Sequence, residues 1–293
     1  MSLPRGAREA PPVGGGDINE AFRVVLADGR EAFVKTRADA AQGEYASEAA
    51  GLRWLSEAGG LRVPEVLDVG EDYLALEWIE RGHLDAAGER ELGRGLALTH
   101  AAGAPRFGRF TETESETAVD AGVGGDAEAD AAWLGSLRVS NEPTEDWATF
   151  YAERRLRPLA QLAFERKRLG HRGIAAVERI CERIGELAGP PERAARLHGD
   201  LWSGNVLAGV DGRPSLIDPS AFGGYREVDL AMLALFGGLS RDVIESYEDV
   251  TPLAGGWKDR IGLYELLPLL VHSILFGGSY GASAERTAQR YGA

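Results

Sequence analysis

Cysteine is nearly absent: Cys181 stands alone in 293 residues. That excludes an intrachain disulfide framework and any multi-cysteine zinc site, and it makes a reducing cytoplasm the expected compartment. Lysine is almost as scarce. Only Lys35, Lys167 and Lys258 occur among 32 basic side chains, so the other 29 are arginines and each lysine merits inspection. Long apolar runs are missing too. The longest nearly apolar stretch, 266–276, contains His272 and falls well below the roughly 18 residues that crossing a bilayer needs. The leading MSLPRGAREAPPVGGG has no apolar segment of the kind a signal peptide carries. Basic charge is in deficit, with a net of −14, so neither a nucleic-acid partner nor a membrane-surface role is expected.

What is present suits a folded chain of two domains or lobes. The hydrophobic fraction of 44% is ordinary for globular proteins, and the length is about twice the usual domain prior. Residues 22–26 and 31–36 read as strands around Asp28-Gly29, a strong hairpin signal. Tyr45, Ala49, Leu52 and Leu55 have helical spacing, and Gly59-Gly60 ends the run. A further strand pair is expected up to Ile79. A small antiparallel sheet carrying one helix is therefore expected over 14–80, and helices dominate the rest of the chain: 88–102, 147–168 with an interruption near Pro158, 175–187, 228–236 and 257–276. A short, turn-rich strand segment at 196–218 lies between them. Residues 111–132 hold seven acidic and no basic side chains and read as a flexible acidic loop.

The sharpest signal is Leu197-His198-Gly199-Asp200-Leu201-Trp202-Ser203-Gly204-Asn205-Val206-Leu207, with Asp218 thirteen residues after Asn205. An Asp and an Asn five apart in a loop, then an Asp after the next hairpin, suit phosphoryl transfer. In that reading Asp200 orients the acceptor hydroxyl and takes its proton, while Asn205 and Asp218 offer hard oxygen ligands to Mg²⁺. The competing reading is that these residues cap turns. A second constellation favours the first: Lys35 ends a strand and Glu48 lies thirteen residues on, along a helix, as a phosphate-holding lysine and its carboxylate partner do. Alone, such a pair is an ordinary surface ion pair.

Gly15 and Gly16, in the GGGDIN turn, are candidates to wrap phosphates with backbone N–H groups. The segment Glu77, Trp78 and Ile79 closes the first lobe, where backbone groups meet adenine in a kinase-like protein. Trp202 either packs its loop or walls the acceptor pocket. The cluster Arg154, Arg155, Arg157, Arg166, Lys167, Arg168 and Arg172 reads as a solvated helix face, and His100 and His272 as core or interhelical residues. Cys181 reads as a small buried hydrophobe.

The chain resembles the fructosamine kinase, or ketosamine 3-kinase, family, within the aminoglycoside-phosphotransferase-like branch of the protein-kinase fold. The resemblance runs almost end to end, through GGDINEAFRV, AFVK, YASEAAGLRWL, LGRGLALTH, DWATFYAERRLRPL, LHGDLWSGNV, REVDLAMLALFGG and GWKDRIGLYELLPLLVHSILFGGSY. The resemblance implies an α+β fold of two lobes: a small antiparallel-sheet N-terminal lobe at about 1–80 and a mostly helical C-terminal lobe over 81–293. It implies Asp200 as base, Asn205 and Asp218 at the metal, Lys35 and Glu48 at the phosphates, Glu77 to Ile79 at adenine, and His198 and Trp202 on the substrate side. ATP and Mg²⁺ are the implied cofactors. The implied acceptors are ketosamine small molecules or glycated proteins, phosphorylated on the 3-hydroxyl, after which elimination frees the amine. A monomer is expected, since no sequence feature demands a dimer, and the redox switch of relatives with a cysteine in the glycine-rich turn is not expected because none stands there. The run Pro219-Ser220-Ala221-Phe222-Gly223-Gly224-Tyr225 departs from the aromatic residues common there in the family, which leaves the preferred sugar open. A kinase of an aminoglycoside or amino sugar, and a non-catalytic nucleotide-binding scaffold, are the competing functions.

Overall fold

The computed structural model describes residues 19–110 and 130–293. Gly15, Gly16 and the stretch 111–129 lie outside them. The Asp28-Gly29 signal makes its hairpin: Gly29 takes φ 88°, which costs glycine little, and the strands β1 (Glu20–Val25) and β2 (Glu31–Thr36) pair antiparallel around it. With β3 (Val66–Val69) and β4 (Tyr73–Glu77) they form one antiparallel sheet in the order β1-β2-β4-β3. Strand period two sorts the faces. Ala32 and Val34 pack with Val24 and Ala75 on one face, while Phe33, Leu74 and Leu76 meet Tyr45, Ala49 and Leu52 of α1 (Glu44–Glu57) on the other. Lys35, one residue past Val34, shares the parity of Phe33 and thus reaches toward α1.

The remainder is mostly helical. Asp85 caps α2 (Ala86–Ala101), its carboxylate accepting from the N–H groups of Ala87 and Gly88. A hairpin that sequence reasoning missed, β5 (Ala131–Leu134) with β6 (Leu137–Ser140), begins inside the expected acidic loop. Just before it, the Asp130 carboxylate accepts two hydrogen bonds from Arg109, at 2.5 and 2.6 Å. The interruption expected near Pro158 takes the form of a π-helical turn just before it. The helix α3 (Trp147–Tyr151) passes through that turn (Ala152–Leu156) into α4 (Arg157–Glu165), whose first turn holds Pro158, a residue without a backbone donor. Arg155, placed by sequence on a solvated face, is buried between the rings of Phe150 and Phe222 and donates to the Ser140 carbonyl and Asn141 Oδ1.

After α5 (His171–Leu187) come four short strands, β7 (Ala195–Leu197), β8 (Val206–Ala208), β9 (Pro214–Leu216) and β10 (Phe222–Gly224), paired β7 with β10 and β8 with β9. The helices α6 (Glu227–Leu235), α7 (Arg241–Val250), α8 (Trp257–Leu275) and α9 (Tyr280–Tyr291) complete the chain. The largest apolar core gathers α3 to α6, α8 and α9 around Phe150, Tyr151, Ile180, Leu263 and Leu270. Cys181 belongs to it, as expected. Among the described residues no helix is long and apolar enough to cross a membrane.

Candidate active site

The sheet and α1 present the first half of the site. Lys35, hydrogen-bonded into the sheet between Ala21 of β1 and Leu74 of β4, extends its Nζ to Glu48 Oε2 at 2.5 Å and Asp218 Oδ1 at 2.6 Å. Its side chain is only 7% exposed. Burial alone would lower the lysine pKa, but the charges of Asp218 and Glu48 outweigh it and push the value up, so Lys35 stays cationic. Burial would likewise raise Asp218, yet Lys35 holds its carboxyl below the usual range. Asp218 adopts φ 54°, a left-handed conformation that Asp tolerates better than most residues and that concentrates at functional sites.

The second half is the loop after β7. Gly199 takes φ 82° and lies so close to the Ser220 carbonyl that a Cβ would collide with it, hence glycine between His198 and Asp200. The Asn205 amide donates to the Asp200 carbonyl at 2.8 Å and reaches Asp200 Oδ2 at 3.5 Å, leaving its own Oδ1 available. Beneath the loop Asp229 of α6, fully buried, accepts from the N–H groups of His198 at 2.8 Å and Gly199 at 2.9 Å, and its Oδ2 lies 3.2 Å from His100 Nε2. His100 Nδ1 in turn meets the Tyr247 hydroxyl at 2.8 Å. Burial, together with nearby Asp218 and Asp229, pushes the Asp200 carboxyl up to about 7.

Two cavities meet at these residues. One of about 530 Å³ has walls from Ala21, Phe33, Leu76, Leu207 and Ile217 and includes Glu77 to Arg81. The other, of about 230 Å³, is lined by Asp200 together with Trp133, His272 and Phe276. Asn19, Lys35, Trp202, Asn205 and Asp218 belong to both. Apolar walls beside a backbone segment with one unpaired N–H suit a purine. The Glu77 N–H is already donated to the Glu65 carbonyl at 2.8 Å, and that of Trp78 reaches Glu31 O at 3.4 Å, whereas Ile79 N–H has no backbone partner among the described residues. Asn205 Oδ1 and Asp218, whose side chain is 45% exposed, supply hard oxygens at the junction. Among the described residues no group of three or more His, Cys, Asp or Glu forms a metal cage. One carboxylate plus one amide oxygen nevertheless fits Mg²⁺, which keeps waters and shares its shell with phosphates.

A family model described as fructosamine kinase matches residues 4–121 and 125–292. The chain belongs to the fructosamine kinase family. It is accordingly a phosphotransferase. Relatives of this family member include a "probable ketoamine kinase" of Enterococcus faecium, 35% identical over 285 residues covering 96% of this chain and 94% of the relative. One of the same description in Thermus thermophilus is 36% identical over 272 residues, covering 92% and 89%. A crystal structure assigned as a fructosamine-3-kinase of Thermobifida fusca superposes with a TM-score of 0.84 at 38% identity, covering 98% of this chain and 93% of that one. A macrolide 2'-phosphotransferase superposes at 0.58 with 15% identity over 97% and 92%, and shares the fold alone. The fold class is thus the expected two-lobed, kinase-like one.

In this fructosamine kinase family member the structure brings together Lys35, Glu48, Asp200, Asn205, Asp218 and Trp202, as well as Glu77 to Ile79. It does not bring His198 to the substrate side. That ring is fully buried and absent from both cavities: Nε2 donates to the Ile217 carbonyl at 2.9 Å and Nδ1 accepts from Asp200 N–H at 3.2 Å, so it braces the loop from within. Sequence reasoning also missed Asn19, Trp133, Phe276, the Asp229–His100 brace and the place of His272 in the smaller cavity. Asp229 lies in the REVDLAM segment, where an acidic residue between Val228 and Leu230 was the available signal.

Proposed function

We propose that this chain is an ATP- and Mg²⁺-dependent ketosamine 3-kinase, transferring the γ-phosphoryl group to the 3-hydroxyl of ribulosamine or fructosamine adducts. The observation that carries the reading is the junction itself: Asp200, a carboxylate with no cationic partner among the described residues, where the larger and the smaller cavity meet, with Lys35, Asn205 and Asp218 shared by both. Asp200 orients the C3 hydroxyl and accepts its proton as the oxygen bonds to phosphorus and the bond to the ADP oxygen breaks. Lys35, steadied by Glu48, holds the α and β phosphates. Glu77, Trp78 and Ile79 border adenine. Asn205 and Asp218 hold Mg²⁺, which when bound neutralises phosphate charge. The site needs to position and neutralise, and no covalent intermediate is required. Trp202 borders the acceptor.

The ketosamine 3-phosphate then eliminates spontaneously, releasing the amine and repairing glycation. Free ketosamines or glycated proteins are the acceptors in this reading, with the protein acting as a cytoplasmic monomer whose lobes divide near 80/81. The test is mass spectrometry of ribulosamine- and fructosamine-modified lysine peptides incubated with ATP and Mg²⁺. A one-phosphoryl mass gain followed by recovery of unmodified lysine is expected. Tight ATP binding with no gain on either adduct overturns the acceptor assignment.

A further inference from the structure

Carboxylates pair with both cations that line the smaller cavity, and only Arg37 Nη1 is left without a hydrogen-bond partner. Lys35 is bonded to Glu48 and Asp218, and Arg37 engages Glu44 at 2.7 Å and Asp39 at 3.0 Å. Asp200 has no cation within ion-pair distance among the described residues. His272 adds none: its Nδ1 lies 2.9 Å from the Pro268 carbonyl, which can only accept, so the ring proton is assigned to Nδ1, and burial pushes the imidazole pKa down toward the neutral form. The other prominent walls are aromatic. Trp133 comes from β5, Trp202 from the Asp200 loop and Phe276 from the end of α8. Trp202 and Phe276 are 41% and 53% exposed, open to whatever enters. Trp202, Phe236, His272 and Phe276 form a row, with successive ring centroids 6.1, 4.8 and 5.3 Å apart. Electron-rich ring faces beside an uncompensated carboxylate attract a cation and penalise an anion.

We propose that this pocket recognises its acceptor by a protonated amine, held against the faces of Trp133 and Phe276 within reach of Asp200. The inference rests on the ketosamine reading and adds to it that the charge of the amine selects the substrate. The geometry of the acceptor requires the two to be close. Only C1 and C2 separate the amine nitrogen from C3, so an adduct seated with its 3-hydroxyl at Asp200 carries its ammonium into the same small cavity. A neutral ketose, or an adduct whose nitrogen is acylated, brings nothing for the rings to hold.

The experiment compares two ribulose derivatives that differ at one atom, a 1-alkylamino adduct and its 1-alkoxy ether, with ATP and Mg²⁺. Wild-type kcat/KM is expected to favour the amine by about tenfold or more, and Trp133→Leu and Phe276→Leu are each expected to shrink that ratio by roughly three- to tenfold. Trp133→Phe, which keeps a ring face, is expected to retain most of it. Phe276 is exposed, so its leucine variant carries the test even if Trp133→Leu fails to fold. A wild-type ratio near one, or leucine variants that lower both substrates alike, overturns recognition by charge and leaves the ketosamine reading standing. No transfer to either derivative by protein that binds ATP overturns both.

Discussion

The phosphate-handling groups come from one sheet, one helix, the loop after β7 and the turn after β9: Lys35, Glu48, then Asp200 with Asn205, then Asp218. On the acceptor side, Trp133, His272 and Phe276 arrive from a hairpin and from the far end of a helix, with no shared spacing. Phosphate chemistry is the same for every acceptor, so its residues recur as a pattern. Acceptor recognition depends on which distant elements pack against the loop. The division is physical, and substitutions can test it.

The largest effect is expected from Asp200→Asn, which keeps the shape of the junction and removes its base: kcat falls about a thousandfold while nucleotide affinity by calorimetry stays within a factor of two or three. A variant that turns over normally removes Asp200 from the chemistry. Lys35→Met is next. It is expected to lower kcat/KM for ATP about a hundredfold, because it removes a preorganised positive charge and leaves Glu48 and Asp218 facing each other unneutralised. If only the acceptor KM moved, the division into two sides would be wrong.

Much of this was legible in the sequence for local reasons. The Asp28-Gly29 turn fixes the hairpin, the hairpin fixes the parity of β2, and parity alone sends Lys35 toward α1, where helical spacing had already put Glu48. His198 was misread because HGD places it beside the base in sequence, whereas φ 82° at Gly199 turns the chain and points the imidazole inward. Hairpin β5–β6 was missed because an acidic, glycine-rich composition hid the pairing of Asp130 with Arg109, which comes from far enough away that no window contains both. Arg155 was misread for a related reason: two aromatic rings and backbone carbonyls, invisible in a charge count, replace water around its guanidinium.

The Asp229 brace serves both sides, so its loss is expected to be structural before it is kinetic. Asp229→Ala leaves the N–H groups of His198 and Gly199 buried without acceptors, at a cost of about 3 kcal/mol in urea unfolding. The pH dependence has a definite sign. Burial would raise this carboxyl, but His100 and the backbone donors hold it below its unfolded value of about 3.9, so its contribution is full at neutral pH and is lost as pH falls below that value. The stability gap between wild type and Asp229→Asn is therefore expected to narrow in acid. A gap that is constant from neutral pH down to the acid limit contradicts the carboxylate's role as acceptor.

The smallest effect bears on the shared wall. Gly204, in the 3-10 turn Ser203–Asn205, lies against the six-membered ring of Trp202 so closely that a Cβ there would overlap it. Its φ is not positive, so alanine meets no backbone strain and acts only by displacing that ring. Trp202 is half-exposed and free to swing outward, which keeps the stability cost of Gly204→Ala below about 1 kcal/mol. Because Trp202 borders both cavities, the KM values for ATP and for the ketosamine are expected to rise together, by roughly three- to tenfold. A shift of the acceptor KM alone assigns Trp202 to the acceptor side. A drop in Tm with both KM values unmoved makes it a packing residue of the loop, and the two cavities then share only Asn19 and the phosphate-side groups.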